Sequence, residues 1–173
     1  MISRIPNSIR RQIVCLLAAI LVTAVSGCGF HLRGSDALPV GMSVTYIQSG
    51  NPFSSLVDDF TDALSTHGLR VTEQRDEATA TLRIIENDRG REVLSVNTSG
   101  KVLDYQLTQK VIFSISTADN LPLMEPQTVT MRRSYLYSST DVLGSEREKE
   151  AVRGSLQKSL VHMAMLRIAA VAR

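Results

Sequence analysis

Residues 103–116, LDYQLTQKVIFSIS, alternate between apolar and polar side chains and therefore predict a long β-strand with one buried face. Only Gln109 and Ile112 break this alternation. One face of the predicted strand carries the apolar residues Leu103, Tyr105, Leu107, Val111, Phe113 and Ile115. We expect that face to belong to the core and the opposite, polar face to contact solvent or a partner.

Further strand patterns lie on both sides of this stretch. The polar, glycine-containing residues 97–100, NTSG, predict a hairpin turn that joins it to a preceding strand. Shorter alternating or β-branched stretches at 43–47, 69–71 and 80–85 predict strand structure upstream, and residues 129–137 predict a last strand.

Apolar residues at spacings of three and four predict a first helix that begins at Asn51 and Pro52 and ends before Gly68. Asn caps orphan amides, Pro fits the first helical position, and Gly supplies a left-handed cap. The predicted buried stripe consists of Phe53, Leu56, Val57, Phe60, Ala63 and Leu64.

A second helix is predicted from about Ser145 to the end of the chain. Gly154 lies inside it and costs about 1 kcal/mol relative to Ala, so we expect a close approach to a strand there. Its predicted buried stripe consists of Val152, Leu156, Leu160, Met163, Leu166 and Ala170. Two one-sided helices and a one-sided sheet predict an α+β, two-layer sandwich, with a mixed sheet of about four strands and both helices on one face.

The N-terminal residues predict export. Arg10 and Arg11 precede an apolar run from Ile13 that is too short to span a bilayer comfortably and that ends in the small residues before Cys28. Residues 25–28, VSGC, resemble the lipobox of bacterial lipoproteins, in which the cysteine is lipidated; the alternative is an ordinary secretory signal. The predicted organisation is a signal peptide at 1–27, a tether at 28–40 and one domain at 41–173.

Charge and cysteine content exclude several function classes. The full chain carries a formal net charge of +2. Without the three arginines before Cys28, sixteen basic residues face seventeen acidic ones, so the mature charge is −1 and a global basic field for nucleic acid is absent. Cys15 leaves with the signal, so no cysteine besides Cys28 remains for a disulfide or a thiolate metal site.

Catalytic motifs are also absent from the sequence. His31, His67 and His162 are far apart, and no metal-binding histidine spacing, Walker loop or nucleophile elbow occurs. Asp58, Asp59 and Asp62 on the first helix are consistent with either a metal or acid/base site or a solvated face, and the solvated face is favoured. We therefore predict a non-enzyme without a metal or other cofactor.

The mature N-terminus carries a family resemblance. Residues 28–34, CGFHLRG, directly at the lipobox cysteine, resemble the mature start of the LptE family. Weaker similarities occur at residues 104–107, DYQL, and 133–135, RSY. The resemblance implies a lipid-anchored α/β sandwich on the periplasmic side of the outer membrane. It also implies a non-catalytic partner of the LptD barrel in lipopolysaccharide delivery. The resemblance to bacterial lipoproteins implies placement in the outer membrane, because Gly29, and not the Asp of lipoproteins retained at the inner membrane, follows the cysteine. His31 and Arg33 lie in the tether, where solvated linker roles are expected.

Direct lipopolysaccharide binding would require a local basic cluster, because the mature net charge is −1 and phosphates favour Arg and Lys donors. The first predicted cluster is Lys101, Arg132 and Arg133, and the second is Arg89 and Arg91. For each single residue, an ordinary solvated role on a strand or turn is an alternative of at least equal weight, so the prediction concerns the group. The alternative function is a lipid-anchored periplasmic binding or accessory module of another envelope transport system, and the partner discriminates between the two.

Overall fold

The computed structural model describes residues 39–171. In chain order, its main elements are β1 (Val44–Gln48), α1 (Ser55–Thr66), β2 (Arg70–Thr72), β3 (Ala80–Val96), β4 (Val102–Thr117), β5 (Pro122–Leu136) and α2 (Val142–Val171). Short 3-10 turns at Val40–Met42 and Arg75–Glu77 precede β1 and β3.

The five strands form one mixed sheet in the order β2-β1-β3-β4-β5. β1 runs parallel to both of its neighbours, whereas β3, β4 and β5 form an antiparallel meander. The predicted α+β class and mixed sheet are confirmed, and the sheet has five strands where about four were predicted. The additional strand is β2, whose three residues overlap the predicted stretch 69–71.

Both helices cover the sheet face that the sequence alternation marks as apolar. Leu107, Val111, Phe113 and Ile115 of β4 are buried, and Phe113 lies 6.2 Å from Phe60 of α1 between ring centroids. The core continues through both helices and β3, with Leu56, Leu64, Leu82, Ile84, Leu160, Ala164 and Ile168 among its members. This packing supplies the hydrophobic stabilisation of the domain.

The predicted start of the first helix is wrong by several residues. α1 begins at Ser55, because the Oδ1 of Asn51 accepts a hydrogen bond from the Phe53 amide (3.2 Å) and organises a turn there. Phe53 is consequently outside the helix and 94% exposed, so it does not belong to the buried stripe. The rest of the stripe is confirmed, since Leu56, Phe60 and Leu64 are buried, and Gly68 has the predicted positive φ of 80°.

The buried stripe of the second helix is only partly as predicted. Leu156 and Leu160 are buried, but the stripe then continues at Ala164 and Ile168 in steps of four. Met163 is exposed, and Leu166 and Ala170 are not among the buried residues either. α2 has apolar residues on several sides, and the sequence pattern does not show which side faces the sheet. The path of α2 along β5 and β4 determines which of these residues are buried.

Gly154 does not make the predicted close approach. Within residues 39–171, no atom outside its own helical turn lies within 4 Å of the position that a Cβ would occupy. The glycine is therefore open to solvent on α2. Among the helices of residues 39–171, none combines the length and apolarity needed to cross a membrane.

Residues 90–105 form a distal hairpin that extends beyond the helix-covered core. Most β3 residues from Asp88 onward are exposed, in contrast to the buried first residues of the strand. The turn is held by Asn97, whose Oδ1 accepts hydrogen bonds from the amides of Ser99 (3.0 Å) and Lys101 (2.9 Å). Gly100 supplies the positive φ of 74° that the turn requires. The predicted turn at 97–100 is confirmed.

Candidate functional site

The structure does not bring the first predicted basic cluster together. Arg132 and Arg133 pair with Thr108 and Leu107 and are consecutive strand residues, so their side chains point to opposite faces of the sheet. Arg133 lies on the helix-covered face and Arg132 on the open face. Lys101 lies in the hairpin turn, seven residues before Thr108, which corresponds to a separation of about 23 Å along the strand. The prediction of one cluster formed by these three residues is wrong, because strand pairing separates them.

Arg89 and Arg133 hold α2 from its two sides. The Nη1 and Nη2 atoms of Arg133 donate to the hydroxyls of Ser155 and Ser159, both at 3.2 Å. The guanidinium of Arg89 donates to Oε1 of Gln157. Positions 155 and 157 are about 200° apart around a helix, so the two arginines contact opposite flanks of α2. Both side chains therefore have a structural role in keeping α2 on the sheet.

A polar network centred on Gln157 joins both helices to the sheet. Gln157 is 6% exposed, and its Nε2 donates to Oδ2 of Asp59 (2.6 Å) and to the hydroxyl of Ser55 (3.2 Å) on α1. From β4, the Nε2 of Gln109 donates to Oδ1 of Asn87 (2.9 Å) and reaches Oε1 of Gln157 at 3.5 Å. Buried amides are stable when such partners are present. Sequence reasoning missed this network, although the break in alternation at Gln109 was its visible signal.

Asp59, one of the three acidic residues considered above for a metal or acid/base site, belongs to this network through its carboxylate. Within residues 39–171, no group of three or more His, Cys, Asp or Glu side chains is arranged to hold a metal ion. His67 and His162 instead line an open groove of about 320 Å³ between the two helices.

Arg91 lies over Tyr105, which belongs to a group of three tyrosines at the base of the distal hairpin. Its guanidinium carbon is 4.6 Å from the ring centroid of Tyr105, a cation–π distance. Tyr105 in turn stacks on Tyr135 at 5.7 Å and meets the edge of Tyr137 at 5.3 Å. The neighbouring Tyr135 hydroxyl, which is buried and has no well-formed hydrogen bond within the described residues, is the main cause that raises the pKa of Arg91. Arg91 is therefore a positioned, exposed cation.

The free end of the sheet exposes several large apolar side chains. We call this group the apolar end, and its members are between 43% and 67% exposed: Val93, Leu94, Val96, Leu103 and Leu136. The four hairpin residues surround the turn that carries Lys101, and Leu136 pairs with Asp104 beside them. No partner for the Lys101 ammonium or the Arg132 guanidinium is present among residues 39–171. The distal hairpin thus combines exposed apolar surface with the cations Arg91 and Lys101.

The open face of the sheet is polar. We define it by Gln106, Thr108, Lys110, Ser114 and Ser116 of β4 and by Thr128, Thr130, Arg132 and Ser134 of β5. Lys110 pairs with Glu86 (2.5 Å) and Asp88 (3.4 Å), and Glu86 is the main cause that raises the pKa of Lys110. The face therefore presents hydroxyls, amides, the paired charges around Lys110 and the guanidinium of Arg132, with Ile112 as the apolar exception.

Comparisons with known proteins agree with this architecture. A family model described as "LptE: Lipopolysaccharide-assembly" matches residues 42–168. The LPS-assembly lipoprotein LptE of Photorhabdus laumondii is 25% identical over 149 residues, covering 86% of this chain and 81% of that protein. The protein of the same name from Pectobacterium atrosepticum is 25% identical over 155 residues, covering 86% and 80%.

Two solved structures have a similar fold. The uncharacterized lipoprotein B of Nitrosomonas europaea has a TM-score of 0.68 at 25% identity, covering 82% of this chain and 91% of that one. The rare lipoprotein B of Shewanella oneidensis has a TM-score of 0.63 at 20% identity, covering 73% and 94%. The likeness therefore extends over most of the described sheet and helices.

Proposed function

Because this chain belongs to the LptE family of lipopolysaccharide-assembly lipoproteins, we propose that it supports an LptD-like outer-membrane barrel and contacts lipopolysaccharide directly. The match over residues 42–168 confirms the family to which residues 28–34 pointed, and it identifies an accessory lipoprotein family and not an enzyme family. In this proposal, the protein is anchored on the periplasmic side of the outer membrane and helps lipopolysaccharide to reach the outer leaflet.

The amphipathic distal hairpin is the observation that supports the lipopolysaccharide contact best. Lipopolysaccharide carries acyl chains and phosphates, and a binding surface for it needs apolar area beside cationic donors. The apolar end provides the apolar area, and Arg91 and Lys101 provide the cationic donors. Exposed apolar groups of this kind commonly mark interaction sites.

The open face supports the barrel partner. The interior of an outer-membrane barrel is polar, so a plug-like partner needs a polar surface to lie against it. The hydroxyls and amides of the open face fit that requirement, and the charge of Lys110 on this face is paired with Glu86 and Asp88. We assign this face to the barrel wall in the proposed complex.

The lipid anchor is proposed from the sequence. The signal peptide at 1–27, Cys28, and His31 and Arg33 in the tether lie outside the residues that the structure describes. The lipobox at 25–28 supports lipidation of Cys28, and each buried CH₂ of an acyl chain would contribute about 0.8 kcal/mol to membrane binding. Mass spectrometry of the mature N-terminus should find a lipidated Cys28, and Cys28→Ser should leave an uncleaved precursor. A free Cys28 thiol or a different cleavage site would contradict the anchor.

Binding measurements with charge-reversed variants test the glycolipid contact. Lys101→Asp and Arg132→Asp change cations that have no partner among the described residues, so both should preserve the fold. Because the positions are about 23 Å apart, their effects should be separable. If Lys101 acts with the distal hairpin, Lys101→Asp should weaken lipopolysaccharide binding more than Arg132→Asp, and added salt should weaken wild-type binding.

Lys158→Asp, at an exposed position of α2 beside the groove between the helices, is the matched control and should bind lipopolysaccharide like the wild type. Unchanged binding by the folded Lys101→Asp, Arg132→Asp double variant would eliminate these residues as contacts and leave the barrel role. Co-purification with a different envelope transport system, and not with a barrel, would favour the accessory-module alternative.

A further inference from the structure

A polar cleft lies between β3 and the loop that joins β1 to α1. Its volume is about 610 Å³, which is within the range of small-ligand sites. Asn51, Ser54 and Ser55 line one wall, and Ile84, Asn87 and Arg89 of β3 line the other. The cleft is well separated from the hairpin turn, because Asn87 precedes Val96 by nine strand residues, or about 30 Å.

The side chains of this cleft have hydrogen-bond donors to spare. The Oδ1 of Asn51 accepts from the Phe53 amide, and the Oδ1 of Asn87 accepts from Gln109, so each amide directs its Nδ2 group elsewhere. Ser54 caps α1 by position but makes no side-chain capping hydrogen bond. Asn side chains carry two N–H donors each, and a Ser hydroxyl carries one. The cleft therefore suits a ligand rich in acceptor oxygens.

The charge of the cleft limits that ligand further. Arg89 uses one nitrogen, Nη2, for Gln157 and retains its positive charge at the cleft wall. The carboxylate of Glu86, which also borders the cleft, is paired with Lys110. A ligand with a single anionic group is therefore the best match for the positive charge of Arg89.

An exposed aromatic ring stands in the same loop. Phe53 is 94% exposed and lies between the lining residues Asn51 and Ser54 in sequence. Phe53 is not one of the residues that line the cleft, so only a ligand that extends beyond the cleft would reach its ring. A sugar ring has the apolar C–H face that such a contact requires, and polar edges that suit the amide and hydroxyl groups of the cleft.

We propose that this cleft binds an anionic saccharide, with Asn51, Ser54, Asn87 and Arg89 contacting its oxygens and Phe53 its ring face. Lipopolysaccharide contains sugars that bear anionic groups and is the expected source of the saccharide. This choice of source rests on the proposed function. A free sugar phosphate has the same chemistry and is the second source. The site is distinct from the distal hairpin.

The test is calorimetric titration of the full-length lipidated protein in detergent with deacylated lipopolysaccharide, which keeps the sugars and phosphates, and with glucose 6-phosphate. Ser54→Asp should raise the thermal stability slightly, because Asp is a good N-cap, and should weaken saccharide binding at least tenfold. Asn51→Asp keeps the Oδ1 acceptor of the turn, replaces the Nδ2 donors and should weaken binding similarly. Leu121→Asp adds the same charge at an exposed position in the β4–β5 turn and should bind like the wild type.

Opposite changes in stability and saccharide affinity for Ser54→Asp support the site. Stronger binding of deacylated lipopolysaccharide than of glucose 6-phosphate assigns the glycolipid as its source, and the reverse order assigns a free sugar phosphate. Wild-type affinity in both cleft variants, or equal losses in Leu121→Asp, would overturn the site. Such a result leaves the proposed function intact if Lys101→Asp still weakens the binding of intact lipopolysaccharide.

Discussion

The two halves of the β3–β4 ribbon have opposite surroundings, although the same two strands form both. Near Ala80 and Phe113 the ribbon is buried under both helices, whereas near Val93 and Leu103 it is exposed. The buried half derives its stability from apolar packing. The exposed half is fixed by the hairpin turn, the tyrosine stack and the contacts of Arg91.

This difference separates folding from function within one sheet. Apolar residues in the buried half are explained by the core, but those of the apolar end are not, because each of them remains 43–67% exposed in this chain. The proposed glycolipid contact accounts for their exposure. Substitutions in the two halves should therefore have different consequences for stability and binding.

The largest expected effect is on the core. Phe113→Ala should lower the free energy of unfolding by about 3–5 kcal/mol, since it empties space beside Phe60. Leu103→Ala, on the same strand and face but 43% exposed, should cost less than about 1 kcal/mol. Denaturant unfolding followed by circular dichroism measures both. Similar losses for the two variants would show that the distal hairpin is as tightly packed as the core.

An intermediate effect is expected at the polar network. Gln157→Ala should lower the free energy of unfolding by about 1–3 kcal/mol. The substitution removes the side chain that hydrogen-bonds to Asp59, Arg89 and Gln109. The adjacent exposed Lys158→Ala is the control and should change stability by less than about 0.5 kcal/mol. If Gln157→Ala unfolds at the same denaturant concentration as the control, the network does not hold the helices to the sheet.

The smallest expected effect is an increase in stability. Gly154→Ala should raise the free energy of unfolding by about 1 kcal/mol, because alanine is the better helix former and nothing obstructs its Cβ. Thermal unfolding of the isolated protein measures this directly. A loss of stability would indicate that another surface approaches α2 at this position.

Sequence reasoning was most successful where the determining interactions are local. The alternation at 103–116 and the Asn97 to Gly100 turn predicted β4 and its hairpin, because side-chain period and turn chemistry are properties of a short segment. Consecutive strand residues face opposite sides, so the predicted last strand already argued against a cluster that contains both Arg132 and Arg133, and the cluster prediction overlooked this.

Other features depend on tertiary contacts that a sequence pattern does not contain. The buried line of α2 is determined by its path over β4 and β5, which is why Met163 is exposed and Ala164 buried. The distance from Lys101 to Arg132 depends on the β4–β5 register. The roles of Arg89 and Arg133 depend on where α2 lies, so binding and structural arginines could not be distinguished beforehand.

The most direct test of the proposed role is purification of the native lipidated protein from its own membranes in mild detergent, followed by identification of what remains bound. We expect a large outer-membrane β-barrel to co-purify stably in a fixed stoichiometry, and a charged substitution on the open face, such as Thr130→Glu, to reduce its recovery. Recovery of the protein alone, or with components of a different transport system, would contradict the account.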